Sequence, residues 1–281
     1  MAEEEGAIIK NFDLEGVEAV RVDNPFVSEM YLAKPVFQAD LVINLPKLKT
    51  HSAAMFTGAV KNIFGLVPGL KKADYHRVAP SPTDFGHVIA SIHQVTDIGL
   101  HIMDGIVAMQ GEGPTAGTPY PANKILISTD PLALDTIAVA MMGLGIDDVP
   151  ILAVARDKGL GKSRPTELSL LGDYETPPRF KGFRLPRYIR RLRLPSYGFV
   201  SAALRFLKTR PQINLEICRH CNMCVESCPV HVIDKATKQI DYTQCIECMC
   251  CHELCEHQAV ELRKDYRLAE IMLKLYGARK R

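Results

Sequence analysis

Two runs of cysteines decide the fold of the carboxy-terminal part of this chain, and they read Cys218-Arg-His-Cys221-Asn-Met-Cys224-Val-Glu-Ser-Cys228-Pro229 and Cys245-Ile-Glu-Cys248-Met-Cys-Cys251-His-Glu-Leu-Cys255. Both runs have the spacing C-x₂-C-x₂-C-x₃-C, in which three thiolates fit three corners of one cubane and the fourth binds a second cluster. The spacing therefore predicts one [4Fe–4S] cluster on Cys218, Cys221, Cys224 and Cys255, and a second on Cys245, Cys248, Cys251 and Cys228. Because each run supplies a ligand to the other cluster, the module should lose most of its structure without metal.

Structural zinc is the alternative to iron–sulfur clusters, but zinc sites use two C-x₂-C pairs for each ion. Regular third and fourth cysteines have no role in such a site. Pro229 follows the first run, whereas Glu256 stands at the corresponding place after the second. That proline shapes a turn and binds no iron, so the prediction is unaffected. Cys250 falls outside the pattern, and we interpret it as a buried or spare thiol.

The remaining sequence contains no cysteine, because all nine lie between Cys218 and Cys255. Clustered thiols indicate metal binding rather than a disulfide framework. The start, Met1-Ala-Glu-Glu-Glu-Gly, is acidic where a signal peptide is basic and then apolar. The longest stretch without a charged residue, Phe85 to Thr96, is too short to span a bilayer. We expect a cytoplasmic protein with no transmembrane segment.

Charge and composition divide the 281 residues into four parts. Residues 1–172 are acidic, and alternating strand-like and helix-like runs predict an α/β domain with a mainly parallel sheet. Residues 173–213 form a basic connector with ten basic and two acidic residues, five prolines, and a helix expected at Gly198–Lys208. Residues 214–263 are the small α+β ferredoxin-like module, and residues 264–281 form a basic helix or tail.

Within the first domain, the local patterns predict strands and helices at specific positions. The expected strands are Val17–Val22, Asp40–Leu45, Leu100–Val107, Lys124–Ser128 and Glu167–Leu171. The expected helices are Thr50–Phe64, Phe85–Val95 and Pro131–Met142. Asp130 is well placed to cap the last of these helices, with Pro131 at its first turn.

Four short polar motifs in this domain carry a resemblance to a known family. They are Pro46-Lys47-Leu48-Lys49-Thr50-His51, Lys61-Asn62-Ile-Phe-Gly65, Asp104-Gly105 with Gly111-Glu112-Gly113-Pro114, and Asp130-Pro131-Leu-Ala133-Leu-Asp135. In this order they resemble the prokaryotic domain-of-unknown-function family 362, whose members often carry a double-cluster module. The cysteine module itself, from about Ile213 to Leu262, resembles bacterial ferredoxin. The resemblance implies an α/β domain coupled to iron–sulfur centres and no particular substrate. Longer members begin with a further α/β segment, so we expect this chain to be a short form or to lack its true start.

If the predicted strands are parallel, the polar motifs that follow them lie at one edge of the sheet. Lys47, Lys49 and His51 would then stand beside Asp104, Ser128 and Asp130 at the carboxyl ends of the strands, where open α/β sheets bind ligands. This edge would suit a phosphate or carboxylate, with Lys49, His51 and Asp104 as candidate catalytic residues. Each motif also has a structural interpretation: helix cap for Asp130, turn for Gly111 to Pro114, solvated charges for the lysines.

The favoured function is ferredoxin-like electron transfer to a redox partner protein, which would be acidic if it docks on the basic connector. The alternative is a reductase or redox-assisted lyase whose α/β domain binds a small anionic substrate. In a third hypothesis the clusters only stabilise the fold. The sequence contains no G-x-G-x-x-G, P-loop or G-x-S-x-G motif, which argues against dinucleotide, nucleoside triphosphate and hydrolase sites. Nucleic acid is an unfavoured partner, and the connector could contact a membrane surface peripherally.

Overall fold

The computed structural model describes residues 3–52, 54–69, 71–114, 116–186 and 209–264. The chain forms two compact units, Met1–Arg190 and Arg191–Arg281. The expected helix at Gly198–Lys208 and almost all of the expected tail lie outside the described residues.

The first unit is an α/β domain, as predicted. Its strands are β1 (Val17–Arg21), β2 (Glu29–Ala33), β3 (Ile43–Asn44), β4 (Lys47–His51), β5 (Met55–Thr57), β6 (Leu100–Glu112) and β7 (Ala116–Ser128). Its helices are α1 (Pro35–Gln38), α2 (Ala59–Asn62), α3 (Lys71–Val78), α4 (Pro82–Val95), α5 (Pro131–Met142) and α6 (Pro150–Asp157). Short 3₁₀ turns cover Ile63–Leu66, Ile146–Asp148 and Pro165–Glu167.

The main sheet has five strands and is mixed. Both β3 and β4 pair with β6 in parallel, one after the other along its length, and form the parallel core. Two antiparallel pairings extend it, because β5 pairs with β4 and β7 pairs with β6. A separate antiparallel pair consists of β1 and β2. The two long strands β6 and β7 are neighbours in sequence and form one hairpin, so both exceed their predicted lengths.

One face of the sheet belongs to the hydrophobic core. Met103 of β6 is fully buried and packs in the same core as Ile89 of α4 and Leu132 of α5. Side chains alternate between the faces of a strand, so the neighbouring positions point the other way. Ile125 and Ile127 of β7 accordingly remain more than half exposed on the opposite face.

The sequence correctly predicts the two long helices. Ser81 caps α4 and Asp130 caps α5, each accepting a hydrogen bond from the backbone N–H three residues ahead. Gly143 ends α5 in the left-handed conformation that glycine adopts most easily.

The helix predicted at Thr50–Phe64 is wrong. Its first part is the β4–β5 hairpin, and only α2 and the following 3₁₀ turn are helical. Leu48 and Thr50 are buried while Lys47 and Lys49 are half-exposed, which is the two-residue period of a strand. The strand predicted at Glu167–Leu171 is also wrong, because residues 168–171 pair with no strand among the described residues.

Residues 173–186 of the connector pack against the rest of the first unit. Phe180 donates its backbone N–H to the Met141 carbonyl at 2.8 Å, and its ring lies beside that of Tyr120. Arg184 donates to the Thr118 hydroxyl at 2.6 Å. The aromatic residues of this segment therefore serve packing, as their frequency in the sequence suggests.

The second unit contains the cysteines and has little regular structure. Strands β8 (Thr209–Ile213) and β9 (Val260–Lys264) form an antiparallel pair. There are also two short helices, α7 (Met223–Glu226) and α8 (Cys250–Glu253). Cys224 of the first cysteine run lies on α7, and Cys251 of the second run lies on α8.

Candidate functional site: the cysteine module and the polar residues of the sheet

The two halves of the cysteine module share one backbone conformation. His220 and Asn222 of the first run have positive φ angles, and so do Glu247 and Met249 at the corresponding places of the second. A short helix follows each pair, α7 in the first half and α8 in the second. Left-handed conformations are rare for residues other than glycine. Their repetition at the same offset that separates Cys218 from Cys245 indicates one structural unit used twice.

The hydrogen bonds between the halves obey the same relation. The Asn214 N–H donates to the Ala259 carbonyl at 2.7 Å, and the Asp241 N–H donates to the Val232 carbonyl at 2.8 Å. Asn214 and Asp241 correspond in the two runs, as do Val232 and Ala259. Each half therefore completes the backbone pairing of the other, about a pseudo-two-fold axis.

The thiols fall into two groups that mix the runs. Cys228 of the first run lines a pocket together with three thiols of the second run, Cys245, Cys248 and Cys251. The wall of this pocket is otherwise apolar and consists of Pro211, Pro229, Val230, Val232, Ile233, Ile240, Ile246 and Met249. Within the described ranges, no three Cys, His, Asp or Glu side chains converge as the ligands of a single metal ion do.

The remaining thiols of the pattern surround Cys224. Burial raises the pKa of the Cys224 thiol, and the neighbouring thiols of Cys218, Cys255 and Cys221 raise it further. Backbone N–H groups point at two of these sulfurs: His220 donates to Cys218 Sγ at 3.4 Å, and Ala259 donates to Cys255 Sγ at 3.3 Å. Hydrogen bonds of this kind tune the potential of an iron–sulfur centre.

The apolar wall around Cys228, Cys245, Cys248 and Cys251 and the N–H donors to the sulfurs of Cys218 and Cys255 are both features that fit iron–sulfur binding. Iron binds the thiolate, so a bound cluster compensates for the burial that raises the pKa of Cys224 and Cys251. Cys250 is buried, and its hydrogen bond to Cys248 is the main cause that raises its pKa.

The polar residues of the sheet do not meet at one edge, so the interpretation of a shared edge is wrong. Strand β7 runs antiparallel to β6, and Ser128 therefore pairs with His101 at the amino end of β6. Asp130 lies just beyond that end. Lys49 instead pairs in register with Met109, towards the carboxyl end of β6.

Lys47 and Asp104 do come together. Lys47 Nζ lies 2.6 Å from Asp104 Oδ2, and this hydrogen bond lowers the pKa of the Asp104 carboxyl. Both side chains are about half exposed, and such pairs contribute about 0–1 kcal/mol to stability. His51 is buried on β4, and its Nδ1 accepts a hydrogen bond from the Ala54 N–H at 3.1 Å.

The loop after β6 is a turn held to β4. Ser52 donates its backbone N–H to the Gly113 carbonyl at 2.8 Å and its hydroxyl to the same oxygen at 2.7 Å. A Cβ at Gly113 would lie 2.0 Å from the Thr50 carbonyl oxygen, so only glycine fits this approach.

Comparison with known proteins agrees with this two-part architecture. Residues 1–140 match the family described as domain of unknown function (DUF362), and residues 211–234 match the 4Fe-4S binding domain family. The chain carries a DUF362 domain at residues 1–140. It therefore combines a DUF362 domain with a 4Fe-4S binding domain, as the sequence motifs predict.

A curated relative of this DUF362 protein is a thylakoid-associated protein of Synechocystis sp., 33% identical over 180 residues. The match covers 60% of this chain and 56% of the relative, so the chain spans about half the length of that protein. No solved structure matches the chain significantly. No helix in the described ranges is long and apolar enough to cross a membrane.

The DUF362 domain also contains a buried polar cluster that the sequence analysis missed. Asp135 of α5 accepts the N–H groups of Ala59 and Val60 at the start of α2, at 2.7 and 2.9 Å. Burial raises the pKa of this carboxyl to about 7. Beside it, Asn44 contacts His101 Nδ1 at 3.0 Å and accepts a hydrogen bond from Asn62 at 2.7 Å.

This cluster joins two of the four polar motifs, since Asn62 and Asp135 come from different ones. His93 of α4 completes it, because its Nε2 lies 3.1 Å from the Val60 carbonyl and burial lowers its pKa to about 4. An asparagine inside an otherwise apolar strand, Asn44, is the signal that could have revealed the cluster.

Proposed function

We propose that this DUF362 protein is a ferredoxin-like electron-transfer protein that holds two [4Fe–4S] clusters. The observation that carries the proposal is the pseudo-two-fold repeat, which gives the second cysteine run the backbone of the run that matches the 4Fe-4S family. A second cluster needs four thiols of its own. Cys228, Cys245, Cys248 and Cys251 line one pocket and meet that need.

The ligand sets follow from the grouping of the thiols. Cys218, Cys221, Cys224 and Cys255 would hold the first cluster, and Cys245, Cys248, Cys251 and Cys228 the second. Each cluster supplies a one-electron couple when it is bound. The chain's residues bind the iron through thiolate sulfur, exclude water through the apolar wall, and donate N–H groups to Cys218 and Cys255.

Electron transfer is favoured over substrate chemistry for a geometric reason. The anionic-substrate alternative needs the polar motifs at one edge of the sheet, and the antiparallel β7 separates Asp130 from Lys49. Catalytic roles for Lys49, His51 and Asp104 stay a prediction from sequence.

The proposed partner is an acidic redox protein that docks on the basic connector. The described residues of the connector include four of its ten basic side chains, Arg179, Lys181, Arg184 and Arg210. Opposite charges on two partners speed their encounter. The proposed compartment is the cytoplasm, because a reducing environment keeps clustered cysteines available to bind iron.

Spin counting after reduction tests the proposal. Anaerobic protein is titrated with dithionite, and electron paramagnetic resonance measures the electrons taken up per chain. Two clusters should take up about two electrons, with signals broadened by coupling between neighbouring paramagnets. The variant Cys250→Ala serves as control, because it removes a thiol outside both ligand sets. Uptake of a single electron would refute the second cluster, and uptake of none would refute electron transfer altogether.

A further inference from the structure

The two cluster environments differ in charge at one pair of corresponding positions. The offset that relates Cys218 to Cys245 also relates Pro211 to Lys238, and Asn222 to Met249. Lys238 and Asn222 therefore form a polar pair beside the first group of thiols, and Pro211 and Met249 are the corresponding apolar pair beside the second group.

Lys238 is buried and held in place. Its side chain is 3% exposed, and Nζ donates hydrogen bonds to the Asn222 side-chain oxygen and to the Lys235 carbonyl. Asn222 directly precedes α7, the helix of Cys224. Burial raises the pKa of the Cys224 thiol, and the nearby charge of Lys238 acts in the opposite direction. A lysine is rarely buried to this degree without a compensating partner.

At the position that corresponds to Lys238, the second group of thiols has the uncharged Pro211. Pro211 and Met249 both line the pocket that contains Cys245 and Cys248. The charges described beside it are a pair: Arg210 Nε lies 3.7 Å from Glu247 Oε1, and opposite charges so close largely cancel at a distance.

We propose that Lys238 is a redox-tuning residue that makes the cluster of Cys218, Cys221, Cys224 and Cys255 the more easily reduced of the two. The inference rests on the proposed two-cluster function. Reduction adds one electron from a low-potential one-electron donor to a cluster and makes it more negative by one charge. A buried cation stabilises that reduced state, and its effect is larger in the protein interior than in water. The first electron therefore resides on the first cluster.

Substitution of Lys238 tests this directly. Lys238→Met removes the charge and keeps the length of the side chain, Lys238→Arg keeps the charge, and Lys235→Met removes an exposed charge from the same loop. Redox titration followed by electron paramagnetic resonance measures both clusters. Lys238→Met should lower the reduction equilibrium constant of the first cluster at least tenfold, about 59 mV for a one-electron couple. The second cluster and both control variants should shift much less.

Equal shifts of the two clusters, or no shift, would overturn the proposal. Iron and sulfide are counted first in every variant, so that a missing second cluster in the parent protein is recognised as failure of the proposed function rather than of the tuning.

The unsubstituted protein provides a second test that does not depend on any substitution of Lys238. Nuclear magnetic resonance of half-reduced protein follows the cysteine methylene signals, assigned through Cys221→Ser and Cys248→Ser. The signals of the first cluster should change first. If the signals of the second cluster change first, Lys238 does not set the order.

Discussion

The substitution Asp135→Asn should destabilise the DUF362 domain at acid pH and stabilise it at alkaline pH. The carboxyl is fully buried, and its pKa is about 7 in the folded domain against 3.8 as the ordinary value. A folded-state pKa that is raised contributes stability at low pH, and this contribution is lost as the pH rises through the folded value. The difference between these two pKa values corresponds to about 4 kcal/mol.

The substitution Asp135→Asn has a second, pH-independent effect. The amide keeps one acceptor oxygen, so one of the two N–H groups of Ala59 and Val60 loses its partner. An unsatisfied buried donor costs about 1–3 kcal/mol. The variant should therefore be less stable than the parent by about 1–3 kcal/mol at pH 4, and more stable by about 1–3 kcal/mol at pH 8.

Hydrogen exchange measures this difference without requiring the whole chain to unfold in two states. Variant and parent are compared at the same pH, so the intrinsic exchange rates cancel, and the slowest peptides of β6 report the opening of the domain. His93→Gln gives the opposite sign as a control. The pKa of His93 is lowered to about 4, so its contribution is lost as the pH falls from 6.5 to 4. A difference for Asp135→Asn that does not change with pH would refute the reasoning.

Three further predictions concern the ligands, a helix cap and the partner. Cys228→Ala should disturb the cluster of the second run and Cys255→Ala that of the first, as followed by electron paramagnetic resonance; damage confined to the run that carries the substitution would contradict crossed ligation. Asp130→Ala should lower the free energy of unfolding of the DUF362 domain by about 1 kcal/mol, since the side chain accepts the N–H groups of Ala133 and Lys162; hydrogen exchange checks this, and an unchanged rate would exclude a stabilising cap. Electron transfer to an acidic partner should slow as salt increases from about 0.05 to 0.5 M because screening weakens steering; a salt-independent rate in stopped-flow experiments would leave the connector a packing role alone.

The sequence predicted the parts of this protein in which local chemistry determines the structure. The cysteine spacing led to the 4Fe-4S domain, and Asp130 with Pro131 led to the start of α5. Both signals act over a few residues. The 27-residue repeat of the cysteine runs can also be read from the sequence. The burial of Lys238 cannot, because burial of a charge depends on the fold around it.

Long-range pairing explains the errors. The segment from Thr50 to Phe64 has helical potential. Burial of Leu48 and Phe56 in the core instead favours pairing of Lys47–His51 with Met55–Thr57 in the sheet. The direction of β7 depends on the hairpin with β6 and has no local signature. A parallel β7 would carry Asp130 to the carboxyl end of β6, whereas the antiparallel strand carries it to the amino end.

Metal analysis of anaerobically purified protein tests the central claim most directly. Two cubane clusters contain about eight iron and about eight acid-labile sulfide per chain, and the protein should be brown and bleach in air. About four of each would contradict the second cluster. Stoichiometric zinc without sulfide would contradict the account of the cysteine module as an electron-transfer site.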